Sequence, residues 1–248
     1  MILSQMTWQE VSKVSRETVV LIPTGSLEQH GPHLPLFTDS ILVTAVAEAV
    51  EQQISDVVLL TPTLWLGASG HHLAMNGTLS ASFSTYMGAV RDVVKCLVPH
   101  GFLKFFILNG HGGNTEPNGV VLRELKAEYP SLWFGHSGYF AFATETSAKV
   151  MTGPAKEIRH ACEAEVSLML HVRPDLVRTD KLRDDGLAPD PPVTGMIHTF
   201  DEMTEEGSLG YATYADKDKG KAIFDAAVNG VCENLKTLAS GYSLKATF

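Results

Sequence analysis

Of 248 residues 44% are hydrophobic, enough to bury a substantial core, and no stretch approaches the length of a membrane span. Acidic side chains outnumber basic ones 28 to 19, a net charge of −9, which speaks against nucleic acid or an anionic membrane as a partner and favours a small molecule. Cys96, Cys162 and Cys232 are too few and too scattered for a disulfide framework, and the N-terminus MILSQMTWQEVSKVSRE has no basic segment leading into an apolar one, so a cytoplasmic protein with reduced thiols is expected.

Short apolar runs rich in β-branched and aromatic residues mark strands over residues 18–24, 57–66, 104–110 and 132–138. Their near-continuous apolarity implies burial on both faces. Amphipathic stretches of helical length lie between and after them, at 39–53, 83–100, 114–128, 161–172 and 218–239. Alternation of this kind predicts one domain spanning 1–248, a three-layer α/β/α sandwich with a mainly parallel sheet. No linker, repeat or low-complexity run divides it. Residues 176–210, rich in Pro and Asp, fit no periodic pattern and read as an irregular excursion that could cap a site or pack against another subunit.

In such a sheet the ligand site gathers beyond the carboxyl ends of the strands. There the first strand is followed by LEQHGPHLPLFTD, residues 27–39. Gly31, Pro32 and Pro35 suit a turn, but Glu28, His30 and Asp39 are residue types that grip a divalent metal ion. Taken singly, Asp39 could be only a helix cap and Glu28 a solvated carboxylate. The third strand runs into NGHGGN, where His111 precedes Gly112 and Gly113, which let the backbone pass close to a bound group, and then Asn114, a candidate helix cap. Two βα loops delivering such donors to one sheet edge are unlikely to coincide by chance. A third segment, IRHACEAEVSLML, places His160 and Glu163 three apart on one helix face with Glu165 off it. Acidic residues there also suit a helix N-terminus, a reading that leaves His160 idle. His71 and His72 occupy a Gly-rich loop after the second strand, where one of them could touch substrate or the shell around the metal. His33, His100, His136, His171 and His198 read as structural or solvated, and Cys162 as a buried, inert thiol.

Together GSLEQHGPHLPLFTD, NGHGGN and HACEAEVSLML resemble the motifs of the creatininase (creatinine amidohydrolase) family, of the type GSxEQHGPHLPLxTD, NGHGGN and HAGxxETSLML, across about residues 25–170. The resemblance implies a hexameric α/β/α enzyme that hydrolyses C–N bonds of amides with two divalent metal ions, zinc or manganese, with iron in some relatives. Carried over, Glu28, His30 and His111 are metal ligands, Asp39 the carboxylate bridging both ions, and His160 the general acid/base. A metal-activated hydroxide is then the nucleophile. Creatininase proper has a carboxylate where this chain has Gly113, so the fifth ligand must come from elsewhere. Glu163 is the choice, with Glu165 as the alternative ligand or a supporting anchor. The tryptophans that close the creatininase pocket are also missing: between Ser137 and His160 stand Tyr139, Phe140 and Phe142. These departures point away from creatinine and toward another small cyclic amide, with His72, Gly112, Tyr139 and Glu165 near the substrate. Relatives also include formamide hydrolases of flavin and deazaflavin pathways and a peptidase of a redox-peptide pathway. The alternatives are thus a formamide hydrolase using a single iron or zinc, or a non-catalytic metal- or ligand-binding protein.

Overall fold

The computed structural model describes residues 1–188 and 191–244. After a short helix α1 (Trp8–Ser12), the chain alternates β1 (Val19–Thr24), α2 (Thr38–Gln53), β2 (Val58–Leu60), α3 (Phe83–Leu97), β3 (Lys104–Asn109), α4 (Thr115–Glu128) and β4 (Trp133–Gly138). There follow α5 (Thr144–Val150), α6 (Glu163–Val172), a small hairpin of β5 (Asp184–Gly186) and β6 (Gly210–Tyr211) enclosing α7 (Phe200–Met203), and the long α8 (Lys217–Ser240). The four long-range strands form a parallel sheet in the order β2-β1-β3-β4.

Every residue of β1 and β3 is buried, in keeping with the apolar runs VVLIP and FFIL that make up most of the two strands. Val19, Leu21, Phe106 and Leu108 face one layer, built of α2, α6 and α8. Val20, Ile22, Phe105 and Ile107 face the other, built of α3 and α4. This is the expected three-layer α/β/α sandwich. The pairing sets Thr24 beside Asn109 and Asn109 beside Gly138, so the carboxyl ends of three strands finish level and their loops share one edge. No helix among the described residues is long and apolar enough to cross a membrane.

Two boundaries in the sheet layer and its flank differ from the sequence reading for local reasons. The second strand stops at Leu60 because Pro62 cannot donate to a ladder, and beyond it only Leu64 makes a bridge, to Thr24. The third helix ends at Leu97 in a turn of 3-10 helix containing Pro99 and closed by Gly101 at a φ of 89°. Among the described residues of the excursion at 176–210, the chain is irregular apart from the hairpin strands, α7 and two 3-10 turns, as expected.

Helices α6 and α8 pack closely at Gly220, where a Cβ would stand 1.8 Å from the carbonyl oxygen of Ser167. An exposed helical Gly→Ala change would stabilise, but here overpacking dominates. Gly220→Ala is expected to destabilise by about 2 kcal/mol or more in urea unfolding; a neutral or stabilising result would contradict this packing.

Candidate metal centre

Three loops deliver donors to that common edge. In the first, Gly25 presses against the start of α2: a Cβ there would meet Ser40 Oγ at 2.4 Å. The close approach folds the loop back so that Glu28 and His30 meet Asp39 in the first turn of α2. Asp39 lies within that turn and makes no side-chain capping bond. Its carboxylate is divided instead: Oδ1 lies 3.0 Å from His30 Nε2 and Oδ2 lies 3.0 Å from His111 Nδ1, with Ser26 Oγ donating to Oδ2 at 2.8 Å. His30 Nδ1 donates to the carbonyl of Glu28 at 3.1 Å, which fixes its tautomer with Nε2 toward the cluster.

His111, from the loop after β3, approaches Glu28 Oε1 at 3.2 Å through the same Nδ1, while its Nε2 faces the carbonyl of Ala68 at 3.2 Å. Gly113 has no room for a side chain: a Cβ would lie 2.4 Å from Ala68 O and 2.5 Å from His111 Nε2. That crowding accounts for the missing carboxylate at this position. Asn114 is not a side-chain helix cap either. Its amide accepts from Ala68 N at 2.9 Å and donates to Gly25 O at 3.0 Å, clamping three loops together.

The third segment corrects an expectation. The helix begins at Glu163 rather than Ala161, because Ala161 has a φ of 51° and breaks the helical phase between His160 and Glu163. Residues 163 and 165 then point about 200° apart around α6. Glu163 turns away from the cluster: Oε1 accepts from Thr152 N at 2.8 Å and Lys219 Nζ at 2.7 Å, and Oε2 accepts from Gly153 N at 2.9 Å. Glu165 turns inward instead. Among the described residues, the donor groups lying within 4.8 Å of one another are Glu28, Asp39 and His111; His30, His160 and Glu165; and Glu28, His72 and His160. Glu163→Gln is accordingly expected to leave metal content unchanged while costing about 2 kcal/mol or more of stability, from loss of a largely buried ion pair. Metal loss in that variant would restore Glu163 to the centre.

His160 packs its ring between His30, at 4.3 Å, and His72, at 4.6 Å. Its Nε2 lies 2.8 Å from the carbonyl of Gln29. The carbonyl is the nearer of two partners, the Gln29 amide nitrogen standing 3.1 Å from the same atom, and a proton on Nε2 shared with that carbonyl leaves Nδ1, 3.8 Å from Glu28 Oε1, with its lone pair inward. The Gln29 side chain donates to His72 Nδ1 at 2.8 Å, which leaves His72 Nε2 facing Glu28 Oε1 at 3.2 Å.

Burial alone would raise the Glu28 carboxyl, but the neighbouring His111 imidazolium outweighs it and holds the group at about 2. Burial opposes charge on His30, yet Asp39 beside it lifts the imidazole to about 9. Burial lowers His72 to about 3, and burial with the nearby His30 keeps His160 well below the usual range and neutral. Burial raises Glu165 to about 7. The Glu28 Oε2 atom is buried without a hydrogen-bond partner. Three buried carboxylates, the imidazoles of His30 and His111 and an orphaned oxygen fit divalent cations, and the mixed N and O donors suit zinc or manganese.

A cavity of about 320 Å³ opens onto the cluster, lined by Gly112, Phe140, Ile158, Arg159 and Phe200 and by the donors other than His30. Tyr139 sits in the core rather than on this wall, its phenol held neutral by burial and by Glu165 and Asp39. Cys162 is buried, its thiol pushed up to about 12 by burial, and inert as expected. Phe200 escaped the sequence reading. It comes from the excursion, stacks on His72 at 3.9 Å and meets His160 edge-on at 4.6 Å, so the excursion does cap the site. The available signal was the capping box Thr199 to Glu202, which announces a helix start at residue 200.

Comparison with known proteins agrees with this architecture. Creatinine amidohydrolase of Pseudomonas putida is 29% identical over 252 residues, 94% of this chain and 95% of its own. The mycofactocin precursor peptide peptidase of Mycolicibacterium smegmatis is 32% identical over 231 residues, covering 88% and 84% of the two chains. A solved mutant creatininase of the Zn-Zn type superposes with a TM-score of 0.82 at 29% identity, over 95% of this chain and 96% of that one. A sequence model of the family Creatininase, creatinine amidohydrolase, matches residues 4–235, and the chain therefore belongs to the creatininase family of amidohydrolases.

Proposed function

We propose that this amidohydrolase cleaves a C–N bond of a small cyclic amide at a centre of two divalent ions. Glu28, Asp39 and His111 would hold one ion and His30, Asp39 and Glu165 the other. One observation carries this reading: Asp39 directs a different oxygen to each of two imidazoles, the arrangement a bridging carboxylate needs. It favours two ions over the single ion of a formamide hydrolase. The Zn-Zn type of a solved relative supports the same count, with manganese or iron as alternatives.

Bound divalent ions supply a nucleophilic hydroxide near neutral pH and polarise the amide carbonyl. The chain's own groups handle the proton. His160 Nδ1, neutral and aimed inward, would take the proton released on attack and return it to the departing nitrogen, which leaves poorly as an anion. Gln29 holds the ring in the tautomer this requires, through the 2.8 Å bond to Nε2. Phe200 and Phe140 wall the cavity against water and would pack on a small ring.

The family name alone does not set the substrate, since relatives are named for creatinine and for a precursor peptide. The tryptophan lid is absent and a carboxylate at Gly113 is sterically excluded, so creatinine turnover is expected to be weak or absent while other cyclic amides or formamides are hydrolysed. Steady-state assays of a panel of cyclic amides, lactams and formamides test this on protein purified without chelator, which should carry about two ions per chain by elemental analysis. Creatinine turnover equal to that of dedicated creatininases would overturn the substrate assignment. The hexamer implied by the family belongs to the same proposal, and sedimentation analysis checks it.

A further inference from the structure

The loop after β1 holds a second histidine, His33, that takes no part in the donor groups. It is fully buried, and its Nε2 lies 2.8 Å from the carbonyl oxygen of Ala161. The carbonyl only accepts, so Nε2–H donates, and Nδ1 is left buried without a partner. Ala161 is the sole non-glycine residue with positive φ among the described residues, at 51°. An L-residue adopts this left-handed conformation only at a cost, so the surroundings must impose it.

Two bonds do so, one at each end of the residue. The Ala161 N–H donates to Glu165 Oε2, and its carbonyl accepts from His33. The turn has two outputs. It sets the direction of His160 immediately before it, whose own carbonyl accepts from Leu209 N at 2.8 Å. It also pins one oxygen of Glu165, leaving the other, which makes no hydrogen bond among the described residues, to the cavity that Glu165 lines.

We infer that His33 is a positioning residue of the metal centre: its hydrogen bond to the Ala161 carbonyl holds the left-handed turn that aims Glu165 and His160 at the donor cluster. The inference rests on the reading of Glu165 as a ligand. Partners that orient metal ligands typically contribute about 10- to 100-fold in metal affinity.

The test measures Zn²⁺ affinity by competition with a chromophoric chelator, with thermal unfolding of the metal-free protein as the folding control. His33→Leu keeps an apolar filling but removes the donor, and should weaken the more loosely bound Zn²⁺ by about tenfold or more. Adding Ala161→Gly should recover most of that loss, because glycine holds a φ near 51° without penalty. If His33 merely filled space, glycine at 161 would recover nothing. His33→Gln, which retains an N–H donor, should lose less affinity than His33→Leu. Wild-type affinity in His33→Leu, or a loss that Ala161→Gly leaves unchanged, would overturn the inference. Should His33→Leu fail to fold, His33→Gln decides: affinity near wild type supports the inference, and a loss as large as that of Glu165→Gln overturns it. Glu165→Gln also separates the two levels of argument. If it keeps the second Zn²⁺, the ligand reading beneath the inference has failed; if it loses that ion while His33→Leu keeps it, only the role of His33 has.

Discussion

Asp39→Ala is expected to strip both metal ions from the protein and reduce turnover by roughly a thousandfold or more, since each ion supplies several kcal/mol of transition-state stabilisation. The reason is geometric. Among the described residues, Asp39 is the single side chain whose two oxygens face different imidazoles, His30 and His111, at 3.0 Å each. Any other single ligand touches one donor group more than the other, so its loss should spare one ion. Elemental analysis and circular dichroism on the same preparation distinguish metal loss from unfolding. Full metal occupancy in a folded variant would show that Asp39 does not bridge.

His160→Ala should behave in the opposite way, keeping both ions and losing turnover by roughly 100-fold or more, as expected when general acid catalysis is removed. The ring sits beside the donors, yet its tautomer is set by Gln29 so that Nδ1 is free to take and give a proton. An amide whose leaving group is a good anion needs no proton and should lose much less rate in the variant. Equal losses for good and poor leaving groups would reassign His160 to substrate positioning, and depletion of metal would make it a ligand.

Most of the fold was readable in the sequence because β1 and β3 are buried on both faces, and strands of that kind are filled mainly by apolar runs such as VVLIP and FFIL. The donors in the first two loops were readable for a related reason. Glu28, His30 and His111 follow directly on strand ends, where neither turn chemistry nor the core calls for them. The choice between Glu163 and Glu165 was not readable, since it depends on helix phase, and the phase is reset by a left-handed Ala161. Glycine there would have signalled the break; alanine does not. Asn114 likewise looked like a cap because Asn before a helix usually is one, whereas its amide is engaged by Ala68 and Gly25 from distant loops. Phe200 reaches the site from a segment with no periodic pattern, and only tertiary packing brings its ring onto His72.

The central claim is a two-ion centre in which Asp39 is shared and Glu165, not Glu163, completes the second position. Anomalous diffraction at the zinc edge, from crystals grown with Zn²⁺, tests it most directly. The account predicts two peaks per chain, one among Glu28, Asp39 and His111 and one between His30 and Glu165, completed by Asp39, whose Oδ1 lies 3.0 Å from His30 Nε2. A single peak, or a peak at Glu163 beside Lys219, would contradict it.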